Sequence, residues 1–215
     1  MAKVSATRNE LQARKRQLEL AEEGMELLEQ KRAALVKELL KVADRVVHEA
    51  EELQEAVETA RRALARAEAE AGNEAVRSAA MSTRGDLPIE IKHTRVMGVT
   101  IPEIEQASAH RSFLDRGYFV TGTPTSIDEA ASAFEDEVEA ILEFAESELH
   151  LRFLSEEIQT LSRRVNALEH SLIPRLEQER DYIEMALQER ARDERFRLKL
   201  AKRRLQEKGS PARGN

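Results

Sequence analysis

MELLEQKRAALVKELLKVADRVVHEAEELQEAVETARRALARAEAEA, residues 25–71, contains neither Gly nor Pro. A second stretch, residues 123–208, has no Gly, and Pro only at Pro124 and Pro174. Between them, residues 72–122 hold five of the eight Gly and two of the five Pro. Gly and Pro are the residues that most often end a helix, so this distribution predicts a long helix, a folded head and a second long helix returning. The fold class is all-α dominated: a long antiparallel two-helix coiled coil with a small mixed head of short helices and a β-hairpin. Such a shape brings both chain ends to one tip of a rod.

The repeat within the first stretch supports this. From Leu11 onward, "a" positions fall on Leu11, Leu18, Met25, Arg32, Leu39, Val46, Leu53, Ala60 and Ala67. The "d" positions are Arg14, Ala21, Leu28, Leu35, Val42, Glu49, Ala56, Ala63 and Glu70. The few charged exceptions leave an apolar seam with a seven-residue period, which imposes a left-handed supercoil on a helix pair. Thr7 and Glu10 have the spacing of a capping box, so the N-terminal arm is placed at 7–71. At about 1.5 Å per residue it is roughly 95 Å long. Gly24 lies inside it at a cost of about 1 kcal/mol relative to Ala, for which close packing against a neighbouring helix is the plain explanation.

The C-terminal arm is placed at 126–208, with Ser126 and Glu129 as a second capping box. Its stripe reads Leu151, Leu154, Ile158, Leu161, Val165, Leu168, Leu172, then resumes at Leu176, Ile183 and Leu187. The four-residue step from Leu172 to Leu176 is a stutter. Pro174 lacks the N–H that would bond the His170 carbonyl, so a kink is expected there. Antiparallel pairing of the arms implies that facing residue numbers sum to roughly 200–215. That sets Arg32, the one charged "a" residue, opposite Glu177 and Asp181, where an ion pair would fix register.

The head occupies 72–125. LPIEI (87–91) and VMGVTI (96–101) have strand composition, with KHTR between them, which suggests a β-hairpin over 87–101. Residues 103–112 have the composition of a short helix, and 117–126 are turn-rich. The tail, 209–215, is expected to be flexible.

Composition narrows the function. The chain is 35% charged, 4% aromatic, and has no Cys or Trp, which fits long helices better than a globular core. Without Cys there is no disulfide, zinc ribbon or thiol nucleophile, in keeping with a reducing, cytoplasmic setting. No apolar run approaches the roughly 20 residues that span a bilayer, so no direct membrane insertion is expected. Net charge is −7, yet both ends are basic. Lys3, Arg8, Arg14, Lys15 and Arg16 face only Glu10 near the start, and Arg190–Lys208 is dominated by Arg and Lys. Basic ends suit nucleic acid, an anionic surface or an acidic protein collar; a solvated helix terminus accounts for them equally well.

Catalytic chemistry is not visible. TGTPTS (121–126) lacks the Lys-Ser/Thr of a phosphate-binding loop and reads as a turn with an N-cap. His48, His93, His110, His150 and His170 show no ligand spacing. Carboxylate pairs are too common at this charge density to single out an acid/base dyad. The expectation is a non-enzyme with no cofactor, no metal and no catalytic residue.

Three segments carry a resemblance. Residues 8–40 contain Ala21, Gly24, Leu27, Leu28, Lys31 and Arg32 in an Ala-x-x-Gly-x-x-Leu-Leu-x-x-Lys-Arg run. Residues 162–199 carry RRVNALE, then Ile173-Pro174, Tyr182-Ile183 and a basic FRLK. Residues 97–104 read MGVTIPEI. Together they resemble, nearly end to end, the D-subunit family of V-type and A-type rotary ATPases, which forms the central shaft.

The resemblance implies a non-catalytic rotor. Its paired termini would insert into a hexamer of catalytic A and non-catalytic B subunits. An F-type subunit would bind its side, and its head would dock on the funnel-shaped C-type subunit of the membrane sector. It would couple ATP synthesis or hydrolysis to proton or sodium transport, as a peripheral part of a membrane-associated complex. The basic residues expected to contact the hexamer are Arg8, Arg14, Lys15, Arg195, Arg197, Lys199, Lys202 and Arg203. Gly24, Arg32 and Pro174 are expected to set register and kink. A prefoldin-like chaperone shares the shape, but exposed apolar tips would suit client binding better than basic ones. A nucleic-acid-binding arm, suggested by the basic ends, would need strongly salt-dependent DNA or RNA binding, and the head offers no recognisable nucleic-acid module.

Overall fold

The computed structural model describes residues 5–83, 87, 89–106, 108–112, 116–118 and 122–208. Helix α1 is Arg8–Ala71 and α2 is Asn73–Ser82. Strands β1 (Ile89–Val96) and β2 (Val99–Gln106) form an antiparallel two-stranded sheet. Helix α3 (Thr125–Ala167) passes through a π turn, Leu168–Leu172, into α4 (Ile173–Lys208). The fold is dominated by long helices with a small sheet. The chain divides into two compact units, residues 1–32 with 161–215, and residues 33–160. The expected tail, 209–215, lies outside the described residues.

Burial along α1 follows the heptad. Leu18, Ala21, Leu35, Val42, Ala60 and Ala67 are its buried apolar residues, and each is an "a" or "d" position. The cap at its start is half of the expected box. Thr7 Oγ1 accepts from the Glu10 N–H at 3.2 Å. The Glu10 carboxylate turns instead to Arg14 Nη2, 2.9 Å away. At the other end Gly72 adopts φ 82° and ends the helix, a conformation that disfavours any residue with a Cβ.

In the first unit, α1 and α4 run antiparallel. Arg190 Nη1 donates to the Ala6 carbonyl at 2.8 Å, Arg14 Nε lies 2.7 Å from Glu179 Oε2, and Leu18, Ala21 and Leu176 share a core flanked by Ile173. The numbers of the facing polar pairs sum to 193–196, below the expected 200–215. Glu179 therefore meets Arg14, and the expected pairing of Arg32 with Glu177 or Asp181 does not form. Arg32 is half-buried, with no ion pair to a described residue.

Pro174 acts one turn earlier than a simple kink. The Ile173 N–H bonds the Leu168 carbonyl, an i→i+5 bond, so the helix widens to accommodate the missing donor at Pro174. No residue of the π turn is buried, and Leu172, read as part of the core stripe, is 42% exposed. The widened turn rotates the stripe out of the interface, and it returns at Leu176 and Ile183.

In the second unit, Ala67, Ile127 and Ala130 form a core with Ala63, Ala71, Val76, Ala79 and Tyr118 packed against it. The small residues let α1, α2 and α3 approach closely. Helix α3 begins at Thr125, and Ser126 is buried with its hydroxyl unpartnered. The second capping box does not form, because Glu129 pairs with Arg66 at 3.2 Å.

The hairpin differs from its expected layout. KHTR belongs to β1, and the turn is Met97-Gly98, with φ 50° and 83°, between Val96 and Val99. Two successive positive φ values make a type I′ turn, whose twist matches the strands. β2 runs on to Gln106, so the short helix expected from residue 103 is replaced there by strand. Pro102 opposes His93 without breaking the ladder, since a two-stranded sheet leaves every strand with an open edge. Val99 and Ile101 are buried, whereas Ile89 and Ile91 on the opposite face are 47% and 63% exposed.

Candidate functional site

The first candidate is the basic end of α4. The Arg190–Ala6 hydrogen bond ties the base of this segment to the start of α1. From Arg192 to Leu205 every residue is exposed. Residues 191–208 extend the helix by roughly 27 Å at 1.5 Å per residue. Phe196, Leu198 and Leu205 are each more than 60% exposed among Arg195, Arg197, Lys199, Lys202 and Arg203. An isolated helix in water gains nothing from solvated Phe and Leu, so this surface has the composition of a contact face. The cations near its C-terminus also complement the helix dipole.

The basic residues at the start of α1 divide. Arg8 is exposed at the first residue of the helix, where a cation opposes the dipole. Lys15 is exposed beside Glu19, Glu22, Arg180, Asp181 and Glu184. Arg14 is different, being held internally by Glu10, Gln17 and Glu179. The short Arg14 Nε–Glu179 approach is an ion pair without an aligned hydrogen bond. Glu179 also accepts from Arg175 Nε at 3.0 Å, and that hydrogen bond, with Arg14 nearby, holds its carboxyl below the usual range against the cost of burial.

Gly24 is not tightly packed. A Cβ built there meets nothing within 4 Å. The close helix contact expected at this position is absent.

The second candidate, within residues 33–160, was not legible from sequence. Arg116, 6% exposed, forks onto Glu135 at 2.7 and 3.1 Å and donates to the Asp128 carbonyl at 3.2 Å. The Tyr118 hydroxyl donates to Asp128 Oδ1 at 2.6 Å. The Glu135 hydrogen bond raises the Arg116 pKa further. Burial, reinforced by the bond to Asp128, pushes Tyr118 up to about 12. This clasp fastens residues 116–118 to the first turns of α3, on the wall of a cavity of about 460 Å³. Beside it, Glu139 accepts from Ser108 Oγ and the Ala109 N–H, and His110 lies 3.2 Å from Asp136. These bonds fasten residues 108–110 and 116–118 to α3. No cluster of His, Cys, Asp or Glu among the described residues is arranged to hold a metal ion. No described helix is long and apolar enough to cross a membrane.

Comparison with known proteins gives a consistent result. Residues 10–203 match the family described as the D subunit of ATP synthase. The D subunit of the A-type ATP synthase of Methanobrevibacter smithii is 39% identical over 210 residues, covering 98% of this chain and 91% of the relative. Its counterpart in Methanoregula boonei is 41% identical over 201 residues, covering 94% and 96%. That of Halorubrum lacusprofundi is 40% identical over 203 residues, covering 94% and 89%.

Proposed function

The chain belongs to the D-subunit family of ATP synthases, and on that premise we propose that it is the non-catalytic central rotor shaft of its complex. In this reading the basic end of α4, with Arg8 and Lys15 of α1, sits inside a hexamer of catalytic A and non-catalytic B subunits. An F-type subunit binds the side of the shaft, and the head, residues 72–125, docks on the C-type funnel subunit. The shaft couples ATP synthesis or hydrolysis to proton or sodium transport, as a cytoplasmic, membrane-peripheral component.

The observation that carries the reading is the exposed α4 extension, which holds Phe196, Leu198 and Leu205 in solvent among a dense set of cations. A stiff helix of this kind can favour different states of surrounding subunits as it turns. Coupling requires such differential contact: a rotor that touched every state equally would shift none of them.

The test is a charge reversal at Arg195, Arg197, Lys199, Lys202 and Arg203 in the reconstituted complex. The number of ions transported per ATP hydrolysed should fall severalfold while the complex remains assembled. An unchanged ratio in an intact complex would refute the role of this end.

A further inference from the structure

The seam between α1 and α3 turns polar at one level. Within residues 33–160, Arg66 pairs with Glu129 at 3.2 Å, and Ala67 shares a core with Ile127 and Ala130. Both helices run unbroken away from these contacts. Antiparallel helices advance by the same rise per residue, so the register carries along them. Val42 thus falls opposite Leu154, both buried, and Glu49 falls opposite Ser147. His150 lies one turn from Ser147 on the same face of α3.

These three side chains depart from an otherwise apolar seam. Glu49 is a "d" residue between Val42 and Ala56. Ser147 is 4% exposed. Glu49 Oε2 and His150 Nε2 are closed off from solvent, and neither has a hydrogen-bond partner among the described residues. Buried polar atoms without partners lower stability, so strength is not what this layer supplies.

What it supplies is discrimination between registers. Ala56, Ala60, Ala63 and Ala67 recur along the α1 seam, and Ala133 and Ala140 precede Ser147 at seven-residue intervals on α3. Small, alike side chains pack about equally well after a slip of one heptad. Glu49 does not. A slip of seven residues would set it opposite Leu154 or Ala140 and bury its carboxylate against an apolar side chain. In the observed register the same carboxylate shares its level with a hydroxyl and an imidazole. A single polar position inside a coiled-coil seam is known to fix register at a cost in stability.

We propose that Glu49, Ser147 and His150 form a polar layer that holds α1 and α3 in one register at the expense of stability. This is the role expected of Arg32, whose ion pair does not form. The proposal stands apart from the rotor reading and from any role of the α4 tip.

The test measures register directly. The chain has no Cys, so two spin labels can be attached to the full-length chain through Glu51→Cys and Glu148→Cys, both at exposed positions. The labelled parent should give a single narrow distance. Adding Glu49→Leu, Ser147→Ala and His150→Leu removes the layer. The melting temperature should then rise, and the distribution should broaden to include helices offset by a heptad, about 10 Å along the axis. Adding Ala56→Glu and Ala140→Ser to that variant rebuilds a polar level one heptad away and should restore a single narrow distance. A distribution as narrow without the layer as with it would overturn the proposal. So would a melting temperature below that of the parent, since the layer would then act by its strength. Failure of the rebuilt level to narrow the distribution would overturn it as well.

Discussion

Arg116 and the arginines of the α4 tip have the same side chain in opposite settings. Arg116 is 6% exposed and spends its guanidinium on Glu135 and the Asp128 carbonyl. Arg195 and Arg197 are exposed on a helix with no packed side. A cation removed from water must be matched by partners within the chain, so Arg116 contributes to the fold. A cation left in water contributes almost nothing to stability and remains available to something else. In a chain this rich in charge, exposure therefore separates cations that hold the fold from cations left to solvent better than position in the sequence does.

The contrast can be broken most directly at Arg116. Arg116→Ala strands Glu135 in a half-buried site and should cost about 3 kcal/mol, measured by chemical denaturation. A loss below about 1 kcal/mol would mean that the clasp is no more structural than the tip.

A smaller effect is expected at Tyr118. Removal of its hydroxyl in Tyr118→Phe should cost about 1 kcal/mol through the lost bond to Asp128. The same residue gives a pH signature. Its folded pKa, raised to about 12 by burial and Asp128, exceeds the ordinary value of 10.0. The phenol is the proton-bearing, neutral form, so its contribution is complete below pH 10 and is lost as pH rises towards 12. Melting temperature should thus fall more steeply for wild type than for Tyr118→Phe across that window. Parallel curves would remove Tyr118 from the clasp.

The smallest effect is expected at the tip. Reversal of Arg195 and Arg197 to Glu should change the stability of the isolated chain by no more than about 0.5 kcal/mol. A larger loss would show that these cations serve the fold after all, and the contrast would collapse.

Sequence patterning anticipated the long helices and the small hairpin and missed short-range choices. The heptad named the buried residues of α1 because a periodic pattern over many turns averages out local exceptions. Register failed by a few residues because the helix ends, from which it was inferred, are set by caps. One expected box was half formed at Thr7, and the other lost Glu129 to Arg66. The hairpin turn was misplaced because KHTR has a loop-like composition, while the Met97-Gly98 pair that makes the turn lies inside an apolar run. The Arg116 clasp gave no signal at all. Its partners lie 12 and 19 residues away among many alternative carboxylates, and only folding selects between them. Gly24 was legible as an anomaly, but that no helix of the chain packs closely against it required the structure.

The π turn before Pro174 has a mechanical consequence. Its i→i+5 closure leaves a wide turn with no buried side chain between the packed residues Val165 and Leu176. Twisting the helix there disturbs no core contact within the turn, whereas twisting it at either packed side would. Leu168–Leu172 is thus the part of this stretch where a change of helical twist would disturb the fewest core contacts.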